Sequence, residues 1–288
     1  MNANQNKTFV NIRVHSWLII TALVLAACGN PRRDAPLDTP PDPPPVNKPA
    51  PPEKQPVAAG VVLEASYKVG QRFRTTRTLR VNELTNDGTI NTTADEISVT
   101  EVKTVDPRGQ LIRVVRSYER SRQSLARAHT PEEITGALEG AVLELVRENA
   151  TAPVTATLVK GDNGLTGLKF LIDGFDAALL PAGDVEEGAA WSIAGKDIAG
   201  LNAIVEALKF RIEKNRLDCR LVALSTKTAA ISIDWRLTGS FNNVPAVLEF
   251  TGDIEFDREA NLVRKFTLTG GRQGGGKSVD ITVTRENQ

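Results

Sequence analysis

Several groups of residues in this sequence have types and spacings that could do chemistry. Gly271-Arg272-Gln273-Gly274-Gly275-Gly276-Lys277-Ser278 fits GxxxxGK[ST], the loop whose backbone amides and lysine cradle a nucleotide's phosphates. That chemistry needs a strand before the loop and a helix after it, with the helix N-terminus facing the phosphates. Here Val279-Asp280-Ile281-Thr282-Val283-Thr284 alternates as a strand. The expected structure is a glycine-rich hairpin with a mobile tip, Lys277 as an ordinary surface residue, and no nucleotide partner. The histidines are His15 and His129, and no G-x-S-x-G elbow occurs, so a Ser/His/Asp hydrolase would rest on His129. A histidine-based zinc site is excluded by count. Cys219, between Leu217 and Leu221, is expected as a small buried thiol, because a reactive one needs an accessible, electropositive setting.

Two charged groups remain. Glu249, Asp253 and Glu255, with Thr251 between, form an acidic stripe on one strand face. Paired carboxylates hydrolyse glycosides only across a cleft of controlled width, and calcium sites need a loop spacing that is absent here, so a solvated face is expected. Arg72, Arg74, Arg77, Arg80, Arg113, Arg116, Arg120 and Arg122 crowd the first half. They are either a basic face for an anionic glycan or lipid headgroup, or a mixed surface neutralised by Glu83, Asp95, Glu96, Glu101 and Glu119. The second reading is favoured. No catalytic, cofactor or metal residues are assigned, and the chain is read as not an enzyme.

The elements that would position these residues are mostly strands. Ile231, Ile233, Trp235 and Leu237 alternate with Ser232, Asp234, Arg236 and Thr238, and Leu248, Phe250, Gly252, Ile254 and Phe256 alternate with the acidic stripe. That is the pattern of antiparallel strands with one apolar and one wet face. Phe73, Thr75, Arg77, Leu79 and Val81 alternate less cleanly. Asn86-Asp87-Gly88, Asp106-Pro107-Arg108-Gly109 and Asp257–Asn261 read as hairpin turns. One helix is expected from Thr130 to Asn149, where Thr130, Pro131 and Glu133 look like a capped start. Ile134, Leu138, Ala141, Val142 and Leu145 would form its apolar stripe. A second is expected around Asp197–Leu208. The fold class is therefore mainly β (α+β): antiparallel meanders forming an open half-barrel, with one or two helices packed on it.

The amino terminus carries a different kind of signal. Trp17 to Ala27 is an apolar run of 11 residues, which would reach roughly 16 Å as a helix, too short to span a bilayer. It reads as the core of a signal peptide over residues 1–27. It ends Leu25-Ala26-Ala27-Cys28, which resembles the lipobox of bacterial lipoproteins. The resemblance implies that the Cys28 thiol carries a diacylglycerol, with palmitate-type acyl chains, and that the Ala27–Cys28 bond is cut. The alternative is an ordinary signal peptide cut after Ala27. With no aspartate at position 29, the enterobacterial sorting rule would place the protein in the outer membrane, facing the periplasm.

Residues 31–56 hold 11 of the 16 prolines, so residues 28–59 are expected as a lipid-anchored, extended linker. It is a spacer, or else a proline-rich ligand or a thread through the cell wall. Residues 60–288 form the β-rich domain, as two repeats (60–175 and 176–288) that share a Gly-x-x-aromatic step at Gly70–Phe73 and Gly188–Trp191. The ensemble resembles a group of uncharacterised envelope lipoproteins with a proline spacer and a duplicated β domain. Leu180-Pro181 and Gly188–Trp191 match the motif of that group, which implies an architecture and no chemistry.

Acidic and basic residues balance at 35 each, and cleavage after Ala27 would remove Lys7 and Arg13, leaving 33 basic against 35 acidic. No basic excess exists to neutralise phosphates, so nucleic acid is not an expected partner. The expected partners are a membrane through the Cys28 lipid and either a hydrophobic ligand or an envelope protein. The sequence-level function is a non-catalytic envelope lipoprotein binding a hydrophobic or lipid ligand. The alternative is a structural or protein-interaction lipoprotein with a filled core.

Overall fold

A computed structural model describes residues 60–85, 88–127, 130–149, 152–161, 179–193, 201, 208 and 210–288. Cys28, the spacer and most of the helix expected at Asp197–Leu208 lie outside the described residues. The described chain is mainly β. The strands are β1 (Val61–Val62), β2 (Arg72–Thr85), β3 (Gly88–Val105), β4 (Leu111–Arg127), β5 (Thr130–Thr135), β6 (Val142–Val146) and β7 (Thr155–Lys160) in the first half. The second half holds β8 (Asp184–Val185), β9 (Ala190–Ile193), β10 (Phe210–Leu224), β11 (Thr228–Phe241), β12 (Val244–Asp257), β13 (Leu262–Arg272) and β14 (Lys277–Asn287).

The large sheet runs in the order β7-β6-β4-β3-β2-β14-β13-β12-β11-β10-β9, with β5 also paired to β4. All the pairings are antiparallel. Along most of the sheet, neighbours in space are neighbours in sequence. The exception at its middle is β14 against β2, in register from Lys277↔Glu83 to Asn287↔Phe73. The order is thus that of an up-and-down barrel, left open between β7 and β9. A separate pair, β1 with β8, ties the start of the first half to the start of the second.

Local chemistry sets the turns. Asp106 Oδ1 accepts from the amides of Arg108 and Gln110, and Asp257 Oδ1 from those of Glu259 and Ala260. Asn242 and Asn243 both take left-handed backbone (φ 48° and 66°), the pairing that a two-residue hairpin between β11 and β12 needs. Gly252 answers a different demand. A Cβ there would lie 2.1 Å from the Thr267 carbonyl oxygen on β13, so only glycine lets the two strands bend this closely together.

The helix expected over Thr130–Asn149 is not formed. Thr130–Thr135 pairs with the end of β4, residues 137–140 turn, and Val142–Val146 pairs with its start. The apolar spacing fits a helix, but Gly136 and Gly140 would each weaken its interior by about 1 kcal/mol. Gly140 instead supplies the left-handed residue of the turn (φ 74°), and β4 offers a long edge with free backbone groups. Leu138, Leu143 and Leu145 are buried all the same, now from a turn and a strand.

The inner face of the sheet carries two apolar cores. The larger joins β10–β14 to Leu79 and Val81 of β2 and takes in Leu63, Leu179, Leu201 and Leu208 from connecting segments. The smaller joins β3, β4 and β6 to Phe73 and to Ala65 and Tyr67. The segment after β1 therefore crosses from one core to the other, held by Ser66 N–H on the Asn261 carbonyl and Tyr67 N–H on the Gly109 carbonyl. Trp235 is the largest fully buried side chain among the described residues; its ring lies tilted against Phe250 at 5.1 Å and donates to Asn215 Oδ1 at 2.7 Å. Trp235→Ala should cost ~3–5 kcal/mol in urea unfolding, through lost burial and a cavity. A loss below about 1 kcal/mol would show that the site collapses around the gap.

Candidate functional site

Between the two cores the inner face changes character. On β2, Phe73, Leu79 and Val81 face inward, and the same alternation turns Thr75 and Arg77 inward between them. Register then fixes the neighbours. Arg77 lies opposite Glu96 on β3 and Val283 on β14, and Thr75 lies opposite Ser98 and Arg285. On β4, Tyr118 lies opposite Ser98 and Arg116 opposite Thr100. A polar belt thus crosses four strands; the flanking inner positions on β2 and β14 are leucine, valine, isoleucine and phenylalanine, while β3 carries Thr92, Ala94 and Thr100 there.

The belt is held by specific bonds. Arg116 Nε donates to Thr100 Oγ1 at 3.1 Å, and the Arg116 guanidinium also bonds the Tyr118 side chain. Arg285, buried, donates from Nη1 to the Val263 carbonyl at 3.1 Å. Arg77, Glu96 and Arg116 are only half-buried, whereas Ser98, Thr100 and Tyr118 are buried. The Arg77 Nε atom is itself buried. The protein around these groups imposes a low dielectric: burial pushes Arg77 down to about 10, against the opposing pull of Glu96. Burial likewise raises Glu96, despite Arg77 and Arg116, and raises Tyr118.

A bulge makes this arrangement. Ile97 pairs with Arg120 and Ser98 with Tyr118, so Glu119 is the extra residue on β4. It puts both Tyr118 and Ser121, the partner of Glu96, on the inner face and frees Glu119 to bind Arg74 at 2.9 Å.

The basic first half expected from the sequence divides in two. On the outer surface, Arg74 meets Glu119, Arg113 meets Glu144, and Arg122 meets Glu133 and Glu139. These pairs are exposed, and each adds little stability. Of the expected neutralisers, Asp95 bonds Thr78, Glu101 pairs with Lys103, and Glu83 pairs with Lys277. Arg77 and Arg116 face inward instead. Arg285, Tyr118, Ser98 and Thr100 were not anticipated as members of this group. The signal for Arg285 was present, since it continues the inward alternation of Val279, Ile281 and Val283.

The other candidates separate from this belt. Gly271–Ser278 forms the hairpin end of β13 and β14: Gly271 pairs with Ser278, residues 273–276 make the loop, with Gly274, Gly275 and Gly276 at φ 87–89°, and a strand follows. Lys277 is not at the tip. It opens β14 facing inward, 11% exposed, with its ammonium 3.4 Å from Glu83 and over the Phe241 ring. The acidic stripe faces outward, where Glu249 meets Arg236 at 3.2 Å and Asp253 borders a shallow concavity of about 650 Å³ with Asp218 and Asp234. Among the described residues, no group of three or more histidine, cysteine, aspartate or glutamate side chains is placed to hold a metal. His129 lies outside the described residues. Gly188 (φ 88°) turns the chain into β9, where Trp191 donates to the Leu179 carbonyl at 3.0 Å. No known protein-family model matches the chain, and no curated protein matches its sequence.

Burial, with a smaller push from Asp218, raises the Cys219 thiol to about 12. Folded protein should therefore resist iodoacetamide at pH 8 and react on unfolding; fast labelling of the native state would show an open thiol. Lys277→Met keeps the apolar stem but leaves Glu83 a largely buried carboxylate without its cation, which should cost ~1–3 kcal/mol. Adding Glu83→Gln should recover part of that loss. A single-variant loss under about 0.5 kcal/mol would place Lys277 among ordinary surface residues.

Proposed function

We propose that the chain is a non-catalytic cell-envelope lipoprotein that works by presenting a rigid, filled β domain to an envelope partner. In this reading a diacylglycerol on Cys28 holds it to the outer membrane, and residues 31–56 space the domain from the surface. The observation that carries the choice between its two forms is the state of the cores. A void wide enough for water leaves its lining some accessible surface. Trp235, Phe266, Leu217 and Leu237 in the larger core have none, nor do Val102, Leu111 and Leu143 in the smaller. Among the described residues, these parts of both cores are closed by side chains, which supports the interaction protein over the lipid holder.

Native mass spectrometry of the full chain from detergent should show acyl mass on Cys28 and no second, non-covalent lipid. A stoichiometric bound lipid would overturn the filled-core reading. Cys28→Ser should abolish the acyl mass and the partition into detergent. A Cys28→Ser protein that is still processed and still needs detergent would overturn the anchor.

A further inference from the structure

We propose that the outer edge of β7 pairs, antiparallel, with the same edge of a second copy of this chain, giving a two-fold dimer with Thr157 opposite Thr157 on the axis. This goes beyond the lipoprotein reading and does not depend on it.

Three observations point to it. The first is topology. The large sheet is open, and among the described residues β7 ends it, paired to β6 on one side only. A strand with one neighbour turns alternate N–H and C=O groups away from the sheet, where another chain can pair with them. The second is composition. β5, which also lies on the edge of β4, carries Pro131, which has no N–H, and the acids Glu132 and Glu133. Such residues discourage edge-to-edge pairing. β7 reads Thr155-Ala156-Thr157-Leu158-Val159-Lys160, with no proline and no acid. Its single charge is at its last position, where Gly161 (φ 122°) ends the strand. Val159 is 62% exposed, and Thr155 and Thr157 on the same face are exposed too.

The third is self-complementarity, which selects the occupant. With Thr157 on the axis, Thr155 faces Val159 and Ala156 faces Leu158 of the second copy. β-branched residues then meet on the outer face, and a small residue meets a large one on the inner face. Ala156 and Leu158 pack half-buried against the smaller core, and the added strand covers them further. Lys160 falls opposite Val154, so the two ammoniums stand at opposite ends of the pairing, roughly 20 Å apart along the strand. The axis of such a pair is perpendicular to the sheet, so both inner faces stay on one side and the two sheets continue as one. Pairing β7 with β9 of another copy would use only the four residues Ala190–Ile193 and would be head-to-tail, giving rings or filaments rather than dimers.

The test uses the full chain in detergent, by sedimentation velocity and native mass spectrometry. At about 100 μM, which populates even a weak interface, a dimer should form and should dissociate on dilution. Amide hydrogen exchange in β7 should slow with concentration while that in β13 stays constant. Thr157→Lys sets like charges face to face on the axis and should weaken the dimer at least about tenfold. Thr157→Asp should do the same, and an equimolar mixture of the two variants should recover a dimer holding one copy of each. Val222→Lys, at an exposed valine of β10, should leave the dimer unchanged. A monomer at the highest concentration, or species larger than two, overturns the proposal. So does a dimer that Thr157→Lys leaves intact, or a mixture of the charge variants that stays monomeric. Dimerisation without concentration-dependent protection of β7 overturns it as well, and that measurement on the unaltered chain decides the matter even if the variants fail to fold.

Discussion

The pairing of β14 with β2 is the constraint on which the rest of the structure depends. Eleven consecutive register positions, Lys277↔Glu83 to Asn287↔Phe73, join the last strand to the first long one. Without that seam the two meanders would be separate sheets, each with an apolar face to cover. With it they form one sheet in barrel order, and the inner faces of both halves turn toward common space. Because the order stays open between β7 and β9, the sheet does not seal itself, and other segments must complete the burial. The chain at Leu63–Tyr67 does so at the hairpin ends, entering the larger core with Leu63 and the smaller with Ala65 and Tyr67. Leu179, Leu201 and Leu208 add to the larger core.

Curvature enters through specific irregularities. Gly252 admits the close approach of β12 and β13, and bulges at Glu119 and in the β12–β13 pairing shift the alternation. A bulge costs ladder bonds and gains a change of direction and of face. At Glu119 the change of face matters most, because it lets one strand send Tyr118 inward and an exposed carboxylate outward to Arg74.

These irregularities also explain what the sequence could show. The second half was legible because β11, β12 and β14 alternate without interruption over most of their length, so the burial of Trp235, Phe250 and Ile281 follows from period two alone. The hairpin at Gly274–Gly276 was legible because glycine supplies its left-handed backbone. The first half misleads for two physical reasons. The bulge at Glu119 breaks the period on β4, and the inner face of β3 is Thr92, Ala94, Glu96, Ser98 and Thr100, so the polar residues lie inside. A reading that equates polar with exposed then treats Arg77 and Glu96 as surface. The Thr130–Asn149 segment fails differently: its leucines satisfy a helical stripe and a turn-plus-strand equally well, and the long edge of β4 decides between them.

The same inner face holds two ionic systems, and their difference gives the belt its meaning. At the glycine-loop end, Lys277 and Glu83 form a one-to-one pair, both largely buried, with the ammonium over Phe241. Each charge there has its counter-charge, so the pair closes the end of the larger core without an electrostatic surplus. The belt is built from the same strands, β2 and β14, and only a few residues away along each. It places Arg77, Arg116 and Arg285 around Glu96, and burial works against the charged form of both Arg77 and Glu96. The belt differs in being a network rather than a pair: Glu96, Tyr118, Arg285 and Arg116 all act on Arg77, and burial sets the direction of the shift at both Arg77 and Glu96.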